Sequence, residues 1–176
     1  MALHVAVAEV ADAEELAAVA ARTFPLACPP SSTPQNIAVF IDANLSPARF
    51  SEYLADPDRV VLTAHRDGRI VGYAMLIRGI IDDADVQRAV RVRPTVELSK
   101  MYVLPDSHGA GVSSALMDNA LKHADDMAAR SVWLGVNQQN RRAQRFYAKH
   151  GFTTNGTKTF RVGAHLENDY VMVRVL

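Results

Sequence analysis

Arg66-Asp67-Gly68-Arg69 lies between two β-rich runs, Arg59 to His65 and Ile70 to Arg78. Asp-Gly in that setting is the strongest short-range hairpin signal, because the two-residue turn that suits twisted strands needs positive φ at both central positions. The middle of the chain is thereby committed to an antiparallel pair, and the flanking segments must pack against it. Upstream, Leu3, Val5 and Val7 alternate with His4, Ala6 and Ala8, a period of two that predicts a first strand. Asp12 is placed to cap a helix running to about Thr23, with Glu14 and Glu15 in the first turn where the helix dipole favours negative charge. Phe24 to Thr33, rich in proline and serine, reads as a loop. Helical patches follow at Gln35 to Asn44 and Pro47 to Ala55, the second capped by Ser46 with Pro47 at its first position.

Downstream of the hairpin, Asp82-Asp83-Ala84-Asp85 reads as an acidic turn and Thr95 to Leu104 as a strand. A glycine-rich turn, His108 to Gly111, leads into a helical pattern from Val112 to about Arg130. Ser131 to Val136 reads as a strand, Asn140 to His150 as a helix, and Phe152 to Arg161 and Asp169 to Val175 as closing strands. This order predicts a mixed sheet with helices on both faces, in one α/β domain spanning residues 1–176.

Composition narrows the function classes. Lys plus Arg and Asp plus Glu number 19 each, so no global field points to nucleic acid or to an anionic membrane. Met1 to Val10 has no basic segment or long apolar run, and no stretch of roughly 18 apolar residues occurs, so the chain is expected in the cytoplasm with no secretory signal and no membrane span. A single cysteine, Cys28, set among Pro25, Pro29 and Pro30, reads as a loop thiol in a reducing compartment. The six histidines show no metal-ligand spacing, so no metal site is expected.

The most informative stretch runs from Met101 to Met117. A β-rich run ends at Pro105, a turn carries Gly109 and Gly111, and a helix starts at once. Amides at a helix start have no intrahelical partners and sit at the positive end of the dipole. Glycines there remove the side chains that would keep a phosphate away, so a pyrophosphate is the natural occupant. Ser113 and Ser114 each add a hydroxyl. The turn lacks the Gly-Lys-Ser/Thr of a nucleotide-triphosphate loop and the third glycine of a dinucleotide fingerprint. A second block, Val132 to Phe152, places Asn140, Ala143, Phe146, Tyr147, Lys149, Gly151 and Phe152 in a strand-then-helix setting.

Together the two blocks resemble the GNAT superfamily of N-acetyltransferases. The first resembles that family's Arg/Gln-x-x-Gly-x-Gly/Ala turn, with Gly111 as the central glycine, His108 in place of the basic or amide residue and Ser113 in place of the last small residue. The second matches Asn-x-x-Ala-x-x-Phe-Tyr-x-Lys-x-Gly-Phe in register. The resemblance implies a GNAT fold: a mixed, mostly antiparallel sheet of about seven strands with helices on both faces. It implies acetyl-CoA as co-substrate, with Met101, Tyr102 and Val103 along the acetyl group and pantetheine, Val103 the foremost donor to the acetyl carbonyl. It sets the pyrophosphate on His108, Gly109, Ala110, Gly111, Val112, Ser113 and Ser114, with Asn137 and Asn140 beside the pantetheine. It makes Tyr147 the general acid for the leaving thiolate and Glu97 the base that takes the amine proton, through water. Thr95, Glu97 and Ser99 are expected on one strand face. Without the motif, Tyr147 reads as a core aromatic, Glu97 as an exposed strand carboxylate and Asn140 as a helix cap.

Within the superfamily, Glu97-Leu-Ser-Lys-Met-Tyr-Val-Leu-Pro, Trp133-Leu-Gly-Val and the tail from Thr159 to Met172 resemble PaiA-type polyamine acetyltransferases. That implies a small-molecule amine as partner, spermidine or spermine, for which the acidic turn would be an attractor. A protein N-terminus, a lysine or another amine as acceptor, and an acyl-CoA sensor without turnover, are the alternatives. The oligomeric state is left open, a homodimer included.

Overall fold

The computed structural model describes residues Ala2–Leu176; Met1 lies outside the described residues. In chain order its elements are β1 (His4–Val7), α1 (Ala13–Ala27), α2 (Pro34–Asn44), α3 (Pro47–Ala55), β2 (Arg59–Arg66), β3 (Arg69–Arg78), α4 (Ala84–Ala89), β4 (Thr95–Val103), α5 (Val112–Asp126), β5 (Ser131–Asn137), α6 (Arg141–Lys149), β6 (Thr153–Val162) and β7 (His165–Val175). The Asp67-Gly68 turn takes the conformation its residues favour, with φ of 54° and 75°, and closes β2 onto β3 with Arg66 opposite Arg69.

The strands form one seven-stranded sheet in the order β1-β2-β3-β4-β5-β7-β6. Every neighbouring pair is antiparallel except β4 and β5, which run parallel. A parallel pair needs a crossover, and α5 supplies it. This helix buries Val112, Leu116, Met117, Ala120 and Ala124 against Leu62, Ala74, Leu76, Val96, Leu98 and Val132. The opposite sheet face is covered by α1 to α3, whose Leu16, Ala20, Phe24 and Phe50 pack on Val61, Ile70, Tyr73 and Met75. The mixed, mostly antiparallel sheet with helices on both faces is the architecture expected.

Local reasons are visible at the start of the short helices α2 and α3. Ser46 accepts from Arg49 N at 3.1 Å ahead of Pro47, and Thr33 does the same for Asn36 N ahead of Pro34. Four expectations need correction. Asp12 makes no side-chain cap to α1; its carboxylate instead accepts from Glu9 N at 2.8 Å, closing a 3-10 turn before the helix. The helix α1 continues past Thr23 through Pro25 to Ala27, because Phe24 is buried and stacks on Phe40 at 4.4 Å, which holds the last turn in place. At its far end α5 stops at Asp126, since Ala128 takes a left-handed conformation (φ 62°). The acidic turn opens a helix: Asp83 caps the amides of Asp85 and Val86 at 2.9 and 3.1 Å, and α4 then buries Val86 and Ala89 against Trp133.

Candidate active site

The strands β4 and β5 pair only at their beginnings, Thr95–Glu97 against Ser131–Trp133. Beyond Glu97 β5 stays with β7 as far as Asn137 opposite Asp169, while β4 stays with β3 as far as Val103 opposite Gly72. The parallel strands therefore part, and a β-bulge reinforces the parting. Met75 faces Lys100 but Leu76 faces Leu98, so Ser99 is the extra residue on β4. The bulge corrects the expected alternation. Ser99 does not continue the face of Thr95 and Glu97; that face passes from Glu97 to Lys100 and Tyr102, and Leu98, Met101 and Val103 belong to the α5 side.

Parting leaves backbone groups without a strand partner, and their direction follows from the ladder. Leu104 N donates to Val71 O at 2.8 Å, so alternate residues aim their backbone at β3, and Met101 and Val103 aim theirs into the gap. His108 Nε2 stands 2.9 Å from Val103 O. A carbonyl only accepts, so this nitrogen carries the proton, and the histidine ties the turn to the end of β4. The Val103 N–H faces the gap, without a strand partner among the described residues.

At the turn itself Gly109 and Gly111 have φ of 77° and 78°, a left-handed conformation that L side chains resist. Gly111 is the N-cap of α5, without a side-chain cap, and no protein acceptor among the described residues takes the amides of residues 109 to 114. A Cβ built on either glycine would meet no protein atom within 4 Å. The space in front of these amides is thus open, and the residues fit a pyrophosphate.

Two adjoining cavities of about 240 Å³ each occupy the gap. One is bounded by Val103, His108, Gly109, Ser113, Arg142 and Phe146. The other runs under Phe24, Phe40 and Phe160 to Glu97, Lys100, Gly135, Asn137, Lys158, Glu167 and Asp169. Met101, Tyr102, Asn140 and Tyr147 line both. Sequence reasoning therefore names residues that the fold does bring together. Asn140 keeps its cap, accepting from Ala143 N through Oδ1 at 3.1 Å, which leaves its amide NH₂ for the gap. Asn137 stands on the second cavity only, accepting from Gln139 N at 2.9 Å and donating to Glu167 at 3.3 Å. Ala110, Gly111, Val112 and Ser114 border neither cavity and belong to the open turn.

Tyr147, from α6, packs edge-on to Phe146 and Phe152 at 5.6 and 5.9 Å, and its hydroxyl makes no hydrogen bond among the described residues. Burial pushes this phenol up to about 12, so it is a proton donor at any physiological pH. Burial also raises Glu97, against the pull of Lys158, Lys100 and Arg59. Cys28 ends α1 at the cavity wall and donates to Phe24 O at 3.4 Å. Burial, with Glu167 adding to it, lifts the thiol to about 11. Iodoacetamide at pH 7 should therefore modify the folded chain about 100-fold more slowly than a free thiol; modification at the rate of free cysteine would contradict the half-buried placement.

Several lining residues escape sequence reasoning. Lys158 and Asp169 face each other across the β6–β7 hairpin and pair at 3.4 Å, almost fully buried. Gly135 makes room for them, since a Cβ there would lie 2.5 Å from Lys158 Cε. Counting outward from the Gly163-Ala164 turn would have found the pair, and an isolated glycine inside the β5 pattern marks the close approach. The aromatic wall of Phe24, Phe40 and Phe160 left no local signal.

Residues 22–152 match the family model of the acetyltransferase (GNAT) family. The chain belongs to that family. An uncharacterized N-acetyltransferase of Mycobacterium tuberculosis is 66% identical to this acetyltransferase over 165 residues, covering 94% of this chain and 98% of the relative. A mycothiol acetyltransferase of Frankia alni is 33% identical over 107 residues, 61% of this chain and 32% of that protein. Among solved structures, the PaiA N-acetyltransferase of Thermoplasma acidophilum in complex with coenzyme A superposes with a TM-score of 0.79 at 19% identity, covering 100% of both chains. The seven-stranded mixed sheet is thus the fold of an acyltransferase family. No helix among the described residues is long and apolar enough to cross a membrane.

Proposed function

We propose that this N-acetyltransferase, one domain over residues 1–176, moves an acetyl group from acetyl-CoA to the primary amine of a small acceptor by direct attack. The observation that carries the reading is the junction at Tyr147: an amide-lined gap opens to the glycine turn on one side and to a carboxylate-lined cavity on the other. Met101, Tyr102, Val103, Asn140 and residues 108 to 114 would hold the CoA moiety, with Asn137 at its inner end. Bound acetyl-CoA supplies the thioester whose carbonyl carbon the amine attacks.

The chain's own groups position and move protons. The free Val103 N–H is directed where a thioester carbonyl oxygen gains charge. The nitrogen–carbon bond forms as the carbon–sulfur bond breaks. Of the two protons an ammonium gives up, one leaves for solvent by way of Glu97, and the other replaces the proton that Tyr147 gives to sulfur. The aromatic wall flanks an acceptor-side cavity of about 240 Å³, a size that suits a small amine better than a polypeptide. Spermidine and spermine fit that size, but the acidic turn lends them no support: none of Asp82, Asp83 and Asp85 lines either cavity, Asp83 caps α4 and Asp85 pairs with Arg88.

Glu97 gives the pH test. A base works only when ionised, and burial raises the pH at which Glu97 ionises, so the acid limb of kcat/KM should lie above the ordinary carboxylate range. Glu97→Gln removes that limb, lowers turnover about 100-fold below neutrality and approaches wild type at high pH, where the free amine prevails. A pH–rate profile identical to wild type would take Glu97 out of the mechanism.

A further inference from the structure

The acceptor-side cavity holds more charge than acetyl transfer uses. Its wall carries Glu97, Glu167, Asp169, Lys100 and Lys158. Lys158 pairs with Asp169 at 3.4 Å, and Glu167 with His165 at 3.0 Å. Glu97 and Lys100 remain, each without an ion pair or a side-chain hydrogen bond among the described residues. Neither is sealed away; the buried polar side-chain atoms without a partner are those of Ser32, Tyr73 and His150.

The bulge sets these two charges together. With Ser99 taken out of the alternation, Glu97 and Lys100 are successive residues on one face of β4, about 7 Å apart along the strand. The Lys100 ammonium stands 5.9 Å from the centre of the Tyr53 ring, with no carboxylate in ion-pair contact to offset the loss of water. Burial, reinforced by Arg59 and opposed by Glu97, brings its pKa down to about 8. An anion beside it would restore the missing counter-charge, and Glu97 on the same face calls for a cation next to that anion.

We propose that the acceptor is a zwitterion of amino-acid type, whose amine is presented to Glu97 while its carboxylate is bound by Lys100. This assignment rests on the acetyl-transfer reading above and names its substrate class. A polyamine would instead bring a second ammonium toward Lys100, a like-charge contact where a carboxylate makes an opposite-charge one. Lys100 acts on the acceptor's far group and takes no part in proton transfer, so it is a specificity residue.

The test is thiol release from acetyl-CoA with matched acceptors: L-phenylalanine against 2-phenylethylamine, L-methionine against 3-(methylthio)propylamine, and spermidine. Acetyl-CoA affinity is measured in parallel by calorimetry. The amino acid of at least one pair should exceed its decarboxylated partner by at least about tenfold in kcat/KM, the loss expected when a charged hydrogen bond is removed. Lys100→Met should abolish that preference through KM, Lys100→Arg should keep it, and Lys100→Glu should turn it toward spermidine. Melting temperature and acetyl-CoA affinity should stay near wild type in all three. Acetylation of the decarboxylated amines or spermidine as well as or better than amino acids would overturn the zwitterion and leave acetyl transfer standing. A preference that survives in Lys100→Met would remove Lys100 from it. Acetyl-CoA binding without release by any acceptor would overturn both readings.

Discussion

Gly111→Val is expected to abolish acetyl-CoA binding in a chain that still folds. Gly111 holds a left-handed φ of 78° at the start of α5, which costs an L residue about 1–2 kcal/mol and a β-branched one more. The protein itself offers the new side chain no obstacle, since no atom lies within 4 Å of a Cβ there. The obstruction falls instead on whatever occupies the open space in front of the amides of residues 109 to 114. A pyrophosphate in that space would lose close contact with several donors at once, each a charge-assisted hydrogen bond of about 1.5–3 kcal/mol. Calorimetry should show affinity reduced at least about 100-fold, the loss of two such bonds, with a melting temperature lowered by only a few degrees. Unchanged affinity would mean that the cradle lies elsewhere on the chain.

Tyr147→Phe should have the second large effect, and on a different constant. The phenol stands where the two cavities meet, and burial holds its pKa at about 12, so it is available as a donor and never as a base. Its hydrogen bond to a departing sulfur strengthens only as negative charge grows there, which stabilises the transition state more than the ground state. Loss of a positioned general acid typically costs 100-fold or more, about 3 kcal/mol. A thiolate leaves readily, so the loss should fall near that lower figure. Phenylalanine keeps the ring contacts with Phe146 and Phe152, so stability and acetyl-CoA affinity should hold. A purified variant with near-wild-type kcat would return Tyr147 to the role of a core aromatic.

What could be read in the sequence was what depends on neighbours along the chain. Asp67-Gly68 needs only its own dihedrals, Ser46-Pro47 only the first turn it caps, and Asn140 only the amide of Ala143; all three stand as their residue types require. The glycine turn and Tyr147 were legible for the same reason, each embedded in a motif that spans one strand and one helix. The bulge at Ser99 was not, because it exists only in the register of β4 against β3, and it changed which residues share Glu97's face. Six-residue α4 is too short to show a helical period, so its cap at Asp83 passed for part of an acidic turn. Phe24, Phe40 and Phe160 come from three elements far apart in the chain, and only folding makes them one wall.

The central claim is that one bound thioester and one small amine meet between the parted strands. The most direct measurement is to incubate the purified chain with acetyl-CoA carrying a ¹³C-labelled acetyl group and a panel of small primary amines, and to follow the label by mass spectrometry and NMR. Labelled N-acetyl product is expected with at least one amine, in step with thiol release, and slowed in Tyr147→Phe without a change in acetyl-CoA affinity. Label that stays in the thioester with every amine, or that is lost only as free acetate, would contradict it.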